Sequence, residues 1–443
     1  MSNPNWFKDL FIDEAQAVLS CRSGSSDADP IEPYVTYTMD EQGDIIGAAL
    51  FGFTEIPKYI FHTEEHLADV SITAKLSTVD LSGCPDLTTI SENAFYNCFK
   101  LNTIILPKNI TSIEDYAFYG CLSLTTLPIS EKITKIGREA FAYCHGVTSL
   151  SIPSSVVSIG NGAFASCNNL RHVCLPDNMT NITESLFAGC ENLADVYIPN
   201  SITDISYNAF FDCHNLALTS LPESVTSIGG NAFSNCHNLA LTSLPEGLTS
   251  IESSTFYYCS NLALTSLPEN ITSIGSSAFS NCTELALTSL PEGLTSIEYS
   301  TFERCPNLAL TSLPDNVTTI GLSAFKGCTG LALTSLPESV TSIGTSAFEG
   351  CVGLIDFEIS AATLNSKAFA NCTGLQNIWI RESCETISAS SAKNSPFTGC
   401  STDLKIYAED SEKQSGWSTY FNRTGSSGGT TVTVAYSQNT RPW

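Results

Sequence analysis

Apolar positions recur along this chain with a period of 23 residues. Twelve cysteines follow one another at that interval without a slip: Cys98, Cys121, Cys144, Cys167, Cys190, Cys213, Cys236, Cys259, Cys282, Cys305, Cys328 and Cys351. Phe stands three residues before each of them, Leu stands three residues after (with Val147 as the exception), and Ile stands fifteen after, from Ile113 to Ile343. A fixed period of this length predicts a solenoid, in which each repeat forms one coil.

The pattern within one repeat predicts its elements. The order is F-x-x-C-x-x-L, a short strand that ends near Pro, an apolar-x-x-Ile segment, and a turn of small residues. In the outer repeats the strand alternates, as in Leu193-Ala-Asp-Val196-Tyr-Ile198, which predicts apolar side chains directed inward and polar ones on an exposed sheet face.

Degenerate repeats flank the regular run. Phe61, Leu67, Val70 and Ile72 keep the spacing with Glu64 in the cysteine position, and a shortened repeat surrounds Cys84. At the other end the step to Cys372 loses two residues and the step to Cys400 gains five. Atypical terminal repeats are what capping of a solenoid requires.

Segments such as Val225-Thr-Ser-Ile228-Gly followed by Ala232-Phe233-Ser-Asn-Cys236 resemble the BspA-like leucine-rich repeat family, over roughly residues 50 to 400. The resemblance implies a right-handed coil with a parallel β-sheet face and short helical turns, capped at both ends. It also implies a non-enzymatic protein that mediates protein contact or adhesion at a microbial cell surface or outside the cell. Similar repeats occur in phage proteins, so a structural or receptor-binding component of a phage particle (tail, fibre or capsid-associated) is the alternative, with the virion as its location.

Three regions are expected. Residues 1–33 are an N-terminal helix, with helical spacing from Trp6 to Leu19, and a linker; they are a candidate anchor or oligomerisation segment. Residues 34–400 are the solenoid. Residues 401–443 are a C-terminal cap and tail, with strand-like patterns at Leu404–Tyr407 and Thr430–Tyr436.

Charge narrows the class of partner. Asp and Glu number 45 against 19 Lys and Arg, a formal net charge of −26, which argues against nucleic acid because phosphate binding needs clustered cations. The stretch Met1–Leu19 lacks the pattern of a signal peptide, and no apolar run reaches the roughly 18 residues of a membrane span. The resemblance implies a protein or a surface glycan as the partner; we expect no membrane insertion, and residues 1–33 are the candidate segment for homo-oligomer contacts.

The cysteine column predicts buried thiols, because Cys behaves as a small apolar residue and parallel Cβ vectors suit disulfides poorly. Disulfides and metal binding remain as alternatives. Cys21, Cys174 and Cys384 lie outside the column and are the predicted reactive thiols.

No catalytic or cofactor site is predicted. His62-Thr-Glu-Glu-His66 matches the H-x-x-E-H zinc motif, but it lies across the turn of a repeat. Adjacent Cys and His at 144–145, 213–214 and 236–237 could suggest a thiol nucleophile with its base. Neighbours in one short turn direct their side chains differently, so no catalytic pair is predicted. A column of acids (Asp177, Glu223, Glu246, Glu269, Glu292, Asp315 and Glu338) could share calcium but supplies one ligand per repeat, so a solvated acidic edge is favoured.

Six central repeats read A-L-T-S-L-P-E/D and place Thr where the outer repeats bury Val, Ile or Leu. The predicted partner-binding positions are a leucine stripe and its flanking serines: Leu218, Leu241, Leu264, Leu287, Leu310, Leu333, Ser220, Ser243, Ser266 and Ser289. Two alternatives stay open: the leucines form an exposed apolar stripe that binds a partner, or a local bulge turns them inward and the threonines outward.

Overall fold

The structure, a computed structural model, describes residues 18–19, 33–42, 44–58, 60, 75–410, 413–425 and 429–436. The chain divides into two compact units, Met1–Ser201 and Ile202–Trp443. Each unit is a parallel β-solenoid in which consecutive coils pair one repeat apart, as in the register of Ser149 with His172 in unit 1 and of Ser296 with Thr319 in unit 2. The solenoid fold is confirmed.

The strands of unit 1 are short. They are β1 Val18–Leu19, β2 Tyr34–Met39, β3 Ile45–Phe51, β4 Thr78–Gly83, β5 Thr89–Ile90, β6 Thr103–Ile105, β7 Ser112–Ile113, β8 Lys135–Ile136, β9 Ser149–Ser151, β10 Ser158–Ile159, β11 His172–Cys174, β12 Asn181–Ile182 and β13 Asp195–Tyr197.

Unit 2 consists mainly of two-residue strands. They are β14 Asp204–Ile205, β15 Ser227–Ile228, β16 Ser250–Ile251, β17 Ser273–Ile274, β18 Ser296–Ile297, β19 Thr319–Ile320, β20 Ser342–Ile343, β21 Asp356–Ile359, β22 Thr363–Leu364, β23 Asn377–Ile380, β24 Thr386–Ile387, β25 Lys405–Ala408, β26 Arg423–Thr424, β27 Thr430–Thr431 and β28 Val434–Ala435, with a 3₁₀ helix at Ala392–Asn394.

The coils of unit 1 contribute strands to two sheet faces. On the first face β2 and β3 pair antiparallel, β3, β4 and β6 pair parallel, and β9, β11 and β13 form a separate parallel sheet. On the second face β5, β7, β8 and β10 pair parallel. The predicted helix Trp6–Leu19 is wrong at its end, because Val18 and Leu19 form β1, antiparallel to β2; the rest of it lies outside the described residues, as do the degenerate positions from Phe61 to Ile72.

In unit 2 the second face consists of two-residue parallel strands, with β14 paired to β15, β16 paired to β17, and β18, β19, β20, β22 and β24 in one sheet; the first face of this unit has no strand until β21. There β21, β23, β25 and β28 pair parallel, and β26 and β27 form an antiparallel hairpin. The predicted strand at Leu404–Tyr407 is β25, and Thr430–Tyr436 contains β27 and β28. The indole Nε1 of Trp417, a buried residue, donates to the Cys384 carbonyl at 2.7 Å, which fixes the last coils.

Stacked phenylalanines form the centre of each core. In unit 1 the rings from Phe95 to Phe187 lie near parallel with centroids 5.0–5.9 Å apart, and in unit 2 those from Phe210 to Phe369 lie 5.1–5.8 Å apart. These ladder rings are fully buried. Each contributes roughly 1.5–3 kcal/mol by burial, so the stack is a main source of stability in every coil.

The corner around Phe and Cys is a run of tight turns that requires two left-handed residues per coil. They stand five residues and one residue before the cysteine, as in Asn231 (φ 54°) and Asn235 (φ 61°) before Cys236. Asn and Gly tolerate this conformation best, which explains the small polar residues of the turn.

Candidate partner-binding surface

The six central coils, which follow Cys213, Cys236, Cys259, Cys282, Cys305 and Cys328, bury a different residue from the outer coils. In an outer coil the apolar residue six after the cysteine points inward, as Val173 and Val196 do. In a central coil the leucine five after the cysteine points inward, as Leu264 does with no exposed surface. The segment forms no strand and keeps one main-chain bond per coil, such as Ala286 N–H to the Leu264 carbonyl at 3.0 Å.

This geometry decides where the predicted site residues lie. Leu241, Leu264, Leu287, Leu310 and Leu333 are buried, and Leu218 is half-buried. Ser220, Ser243, Ser266 and Ser289 are exposed. The exposed leucine stripe is therefore wrong for five of its six members, because the displaced backbone turns these side chains into the core and the adjacent threonine outward.

What the central coils expose is a double row of hydroxyls. The row consists of the pairs Thr219–Ser220, Thr242–Ser243, Thr265–Ser266, Thr288–Ser289, Thr311–Ser312 and Thr334–Ser335, all exposed except the half-buried Ser335. Within the described chain, no hydrogen-bond partner lies within reach of the side chains of Thr242, Thr265 or Thr288. These threonines were not among the predicted positions, although their fixed spacing after the cysteine would have identified them.

A second threonine column on the same coils behaves differently. Thr226, Thr272, Thr318 and Thr341 each donate their hydroxyl to a threonine carbonyl of the preceding coil, at 3.1–3.3 Å. Those hydroxyls help to hold consecutive coils together. The hydroxyls of Thr242, Thr265 and Thr288 in the double row remain open to a partner.

The acidic column runs beside the double row. In unit 2 it consists of Glu223, Glu246, Glu269, Glu292, Asp315 and Glu338, all exposed. Among the described residues, none of the six lies within ion-pair distance of a cation. Residues 172–303, which include four of the six, contain no Lys or Arg but 14 Asp or Glu, so the negative charge of those four has no local compensation in the sequence.

The cysteine column is a ladder of thiols. All 17 cysteines in the described chain are free, and ten of the ladder thiols donate to the carbonyl of the Phe 26 residues earlier, at 2.9–3.4 Å. Burial raises the pKa of Cys98 and of Cys328 to about 12. The described residues hold no cluster of three or more His, Cys, Asp or Glu arranged to bind a metal.

The predicted reactive thiols separate in the structure. Cys174 in β11 is exposed, whereas Cys384 is buried, and that burial, reinforced by the charge of Asp410, raises its pKa to about 12. The prediction of a reactive Cys384 is therefore wrong. Cys21 lies outside the described residues.

The other candidate catalytic residues do not come together as a site in the described part of the chain. Cys236 points inward and donates to the Phe210 carbonyl at 3.1 Å, while Nδ1 of the neighbouring His237 lies 2.9 Å from the Tyr258 carbonyl. The stacked rings of His214 and His237, 5.0 Å apart, lie outside the core. The motif from His62 to His66 falls outside the described residues.

The family model described as "BspA type Leucine rich repeat region (6 copies)" matches residues 88–217, 215–332 and 295–407. No curated protein sequence matches this one. Among helices in the described part of the chain, none combines the length and the apolar character needed to cross a bilayer.

Solved structures resemble the chain in fold. The crystal structure of a leucine-rich repeat protein from Bacteroides ovatus is 26% identical, with a TM-score of 0.65, and the match covers 82% of this chain and 96% of that one. A leucine-rich cell surface protein from Faecalibacterium prausnitzii is 25% identical, with a TM-score of 0.45, over 76% of this chain and 95% of that one. The Bacteroides ovatus protein is bacterial, so the phage alternative gains no support. With the family model matching most of its length, this chain belongs to the BspA-type leucine-rich repeat family.

Proposed function

We propose that this protein is a non-enzymatic binding module of a bacterial cell surface, and that it holds a basic protein partner on its central coils. The observation that carries the proposal is the surface of those coils: exposed hydroxyls, among them the unpartnered Thr242, Thr265 and Thr288, beside an acidic column with no cation within ion-pair distance in the described residues. The double row and the acidic column together are called the central surface below.

Charge defines the chemistry of the partner. Six exposed carboxylates in a column, four of them (Glu223, Glu246, Glu269 and Glu292) within a stretch that lacks Lys and Arg, favour a partner that presents Lys or Arg side chains. Complementary charge of this kind raises the association rate and selects the partner more than it deepens affinity. Binding should therefore weaken as ionic strength rises.

The buried leucines give this surface its rigidity. Leu264 and Leu287 anchor the backbone directly beneath Thr265 and Thr288, so the exposed hydroxyls are held at a fixed repeat distance. Such preorganisation lowers the ordering cost of binding. The serines predicted from the sequence, among them Ser243 and Ser266, belong to this surface, whereas the leucines support it from inside.

Two triple variants of the same coils test the proposal. Glu246→Gln, Glu269→Gln and Glu292→Gln neutralise the acidic column, while Glu252→Gln, Glu284→Gln and Glu298→Gln remove the same charge from exposed positions elsewhere in these repeats. The probes are purified soluble proteins ranging from strongly acidic to strongly basic, with neutral polysaccharides in parallel, in biolayer interferometry at low and high salt. We expect saturable binding of particular basic proteins, weakened at least tenfold by the first triple variant and little changed by the second.

Three results would contradict this function. Equal losses in both triple variants would show that net charge alone matters. Binding confined to the polysaccharides would replace the protein partner with a glycan. Antibody labelling that detects the chain only in broken cells, and never on intact ones, would contradict the proposed location at the cell surface.

A further inference from the structure

One coil of unit 1 interrupts the first sheet face. The coil that follows Cys121 has no strand between β6 and β9, so β6 is the last strand of one sheet and β9 the first of the next. The neighbouring coils form strands at the equivalent positions. The exposed edge of a strand offers unpaired N–H and C=O groups to another chain.

A displaced proline explains the missing strand. Proline stands nine residues after the cysteine in the coils of Cys98 and Cys144 but seven after Cys121, at Pro128. The Asp195 N–H, five after its cysteine, donates to the Arg171 carbonyl of the preceding coil at 3.1 Å. By the regular alternation of a parallel pair, the residue seven after the cysteine makes the next such bond. Pro128 has no N–H to donate, so the Ile104 carbonyl loses its partner.

The next main-chain bond along this edge is also missing. In regular coils the N–H eight residues after the cysteine donates to the following coil, as Ile152 does to the Cys174 carbonyl at 3.1 Å and Leu175 to the Tyr197 carbonyl at 3.3 Å. Among the described residues the Leu106 N–H makes no such bond. Two groups of β6 and its extension thus face an unfilled position in the sheet.

A groove of about 530 Å³ opens at this position. It lies between β6 with its extension to Lys108 and the loop 127–132, and its apolar lining includes Ile104, Leu127 and Ile129. Ile104 is half-exposed, although Val173 and Val196 at the same place in their coils are 4% exposed. The interruption therefore uncovers a side chain that the repeat normally buries.

Two lysines, Lys108 and Lys132, line the groove, although the protein as a whole carries a net negative charge. Lys132 Nζ donates to the Asn109 side chain at 3.3 Å, and the exposed Lys108 has no carboxylate within ion-pair distance in the described chain. Lys108 is thus available to a carboxylate at the end of β6. Glu131 is the acid among the lining residues.

We propose that this groove binds an extended peptide segment, which adds as a strand to the free edge of β6. The peptide main chain would bond the Ile104 carbonyl and the Leu106 N–H, as the absent strand would have done. An aliphatic side chain would cover Ile104 and Leu127, and an acidic residue would pair with Lys108. This site is independent of the central surface, since its ligand is an acidic peptide and its residues belong to unit 1.

A segment exchange provides a folded control. Residues 125–132 and residues 148–155 have equal length, so replacing the former with Thr-Ser-Leu-Ser-Ile-Pro-Ser-Ser restores proline to its usual place and closes the groove. A second variant, Lys108→Glu, reverses the charge, and Lys100→Glu makes the same change at an exposed position outside the groove.

The probe is a phage-displayed library of random heptapeptides, selected on the full chain. We expect enriched peptides in which aliphatic and acidic residues alternate and proline is absent from the centre. One such peptide, synthesised and followed by fluorescence anisotropy, should lose at least tenfold in affinity on the exchange variant and on Lys108→Glu but not on Lys100→Glu. N-methylation removes the N–H donor of an amide, and only every second amide of the added strand faces β6. Methylating one alternate set of peptide amides should therefore abolish binding, whereas methylating the other set should not.

Several results would overturn the proposal. They are a selection without enrichment, a peptide that binds the exchange variant as tightly as the parent, or affinity unaffected by Lys108→Glu. A parent that sediments as a dimer while the exchange variant sediments as a monomer would assign the groove to a second copy of the chain. Circular dichroism and thermal unfolding of the exchange variant confirm that any loss of binding reflects the closed groove.

Discussion

The outer coils that carry β9, β11 and β13 in unit 1 and the central coils of unit 2 share one internal framework and differ in one strand. In both kinds of coil the Phe rings of consecutive coils stack, and the Cys thiol donates a hydrogen bond to a Phe carbonyl. Both also form a Ser-Ile or related strand on the second face. The outer coils pair their first-face strands residue by residue, as Val173 with Leu150 and Val196. The central coils keep one main-chain bond per coil at this place.

The difference brings no larger core. An outer coil buries apolar residues three and six after the cysteine, and a central coil buries those three and five after it, each with one more near the proline. The central coils thus give up main-chain pairing without burying an additional side chain. A departure from the repeat pattern six times in succession, with no additional side chain buried, is what a functional surface is expected to produce.

Burial of the central leucines sets the largest expected effect. Leu264→Asp with Leu287→Asp should lower the free energy of unfolding by more than about 5 kcal/mol, because each change removes a buried side chain and strands a carboxylate in the core. Thr265→Asp with Thr288→Asp, one position along, should change it by less than about 1 kcal/mol in total, since both threonines are exposed. Urea unfolding followed by circular dichroism measures both.

Similar unfolding curves for these two double variants would break the comparison. They would mean that the leucines are accessible and that the central coils carry an apolar stripe after all. Each coil of a solenoid contacts only its neighbours. In the double leucine variant, a fluorescent probe in unit 2 should therefore report unfolding at a lower urea concentration than a probe in unit 1.

Converting central coils to the outer pattern gives a smaller effect. Residues 263–268 and 286–291 read Ala-Leu-Thr-Ser-Leu-Pro, and each can be replaced by the Thr-Ser-Leu-Ser-Ile-Pro of residues 148–153. One converted coil should cost about 1–2 kcal/mol, because its strand lacks a paired neighbour. Two adjacent converted coils should recover about 1 kcal/mol of that cost through mutual pairing, a coupling within the usual range for contacting sites.

Strict additivity in this double-mutant cycle would show that strand pairing between coils contributes nothing, and that side-chain packing alone fixes the first face. The unfolding m-value should stay constant across the cycle, so that changes in the midpoint report stability.

The sequence predicted the framework because each position in it obeys one strong rule. Phe, Cys, Leu and Ile at fixed spacing are predicted to lie in the core, and all four columns lie there, with Ile159 as a half-buried member. It also predicted the exception at the central coils, where Thr replaces an apolar residue, but left open whether the leucine or the threonine faces out. That choice depends on a backbone shift of one residue, and periodicity of two cannot distinguish a strand from an irregular segment with the same composition.

Two features were missed for a different reason. The double row of hydroxyls and the groove at Pro128 depend on which main-chain bonds are not made, and single residues do not reveal that. Pro128 carries a readable signal, since it stands two places earlier than its equivalents Pro107 and Pro153. Comparison of each repeat with the next, position by position, would have identified this interruption.

The smallest expected effect concerns the thiols, which the outer and central coils share. Cys174→Ser should change the free energy of unfolding by less than about 0.5 kcal/mol, because Cys174 is exposed. Iodoacetamide at neutral pH should label Cys174 in the folded protein and leave the ladder from Cys98 to Cys351 unmodified, as mass spectrometry of the digested protein would show. Labelling of all ladder thiols after denaturation without reductant would confirm that they are not in disulfides.

The ladder then governs stability at high pH. Burial raises the pKa of Cys328 in the folded protein to about 12 from an ordinary value of 9.0, so between these values the folded state holds a proton that the unfolded chain has released. A group of this kind stabilises the fold fully below pH 9 and loses that contribution as the pH rises toward 12. The thermal midpoint should therefore hold to about pH 9 and then fall steeply, equally in the parent and in Cys174→Ser. A midpoint that stays flat to pH 11, or ladder thiols that react as fast as Cys174, would show that the column is solvent-accessible and that neither kind of coil has the closed core described above.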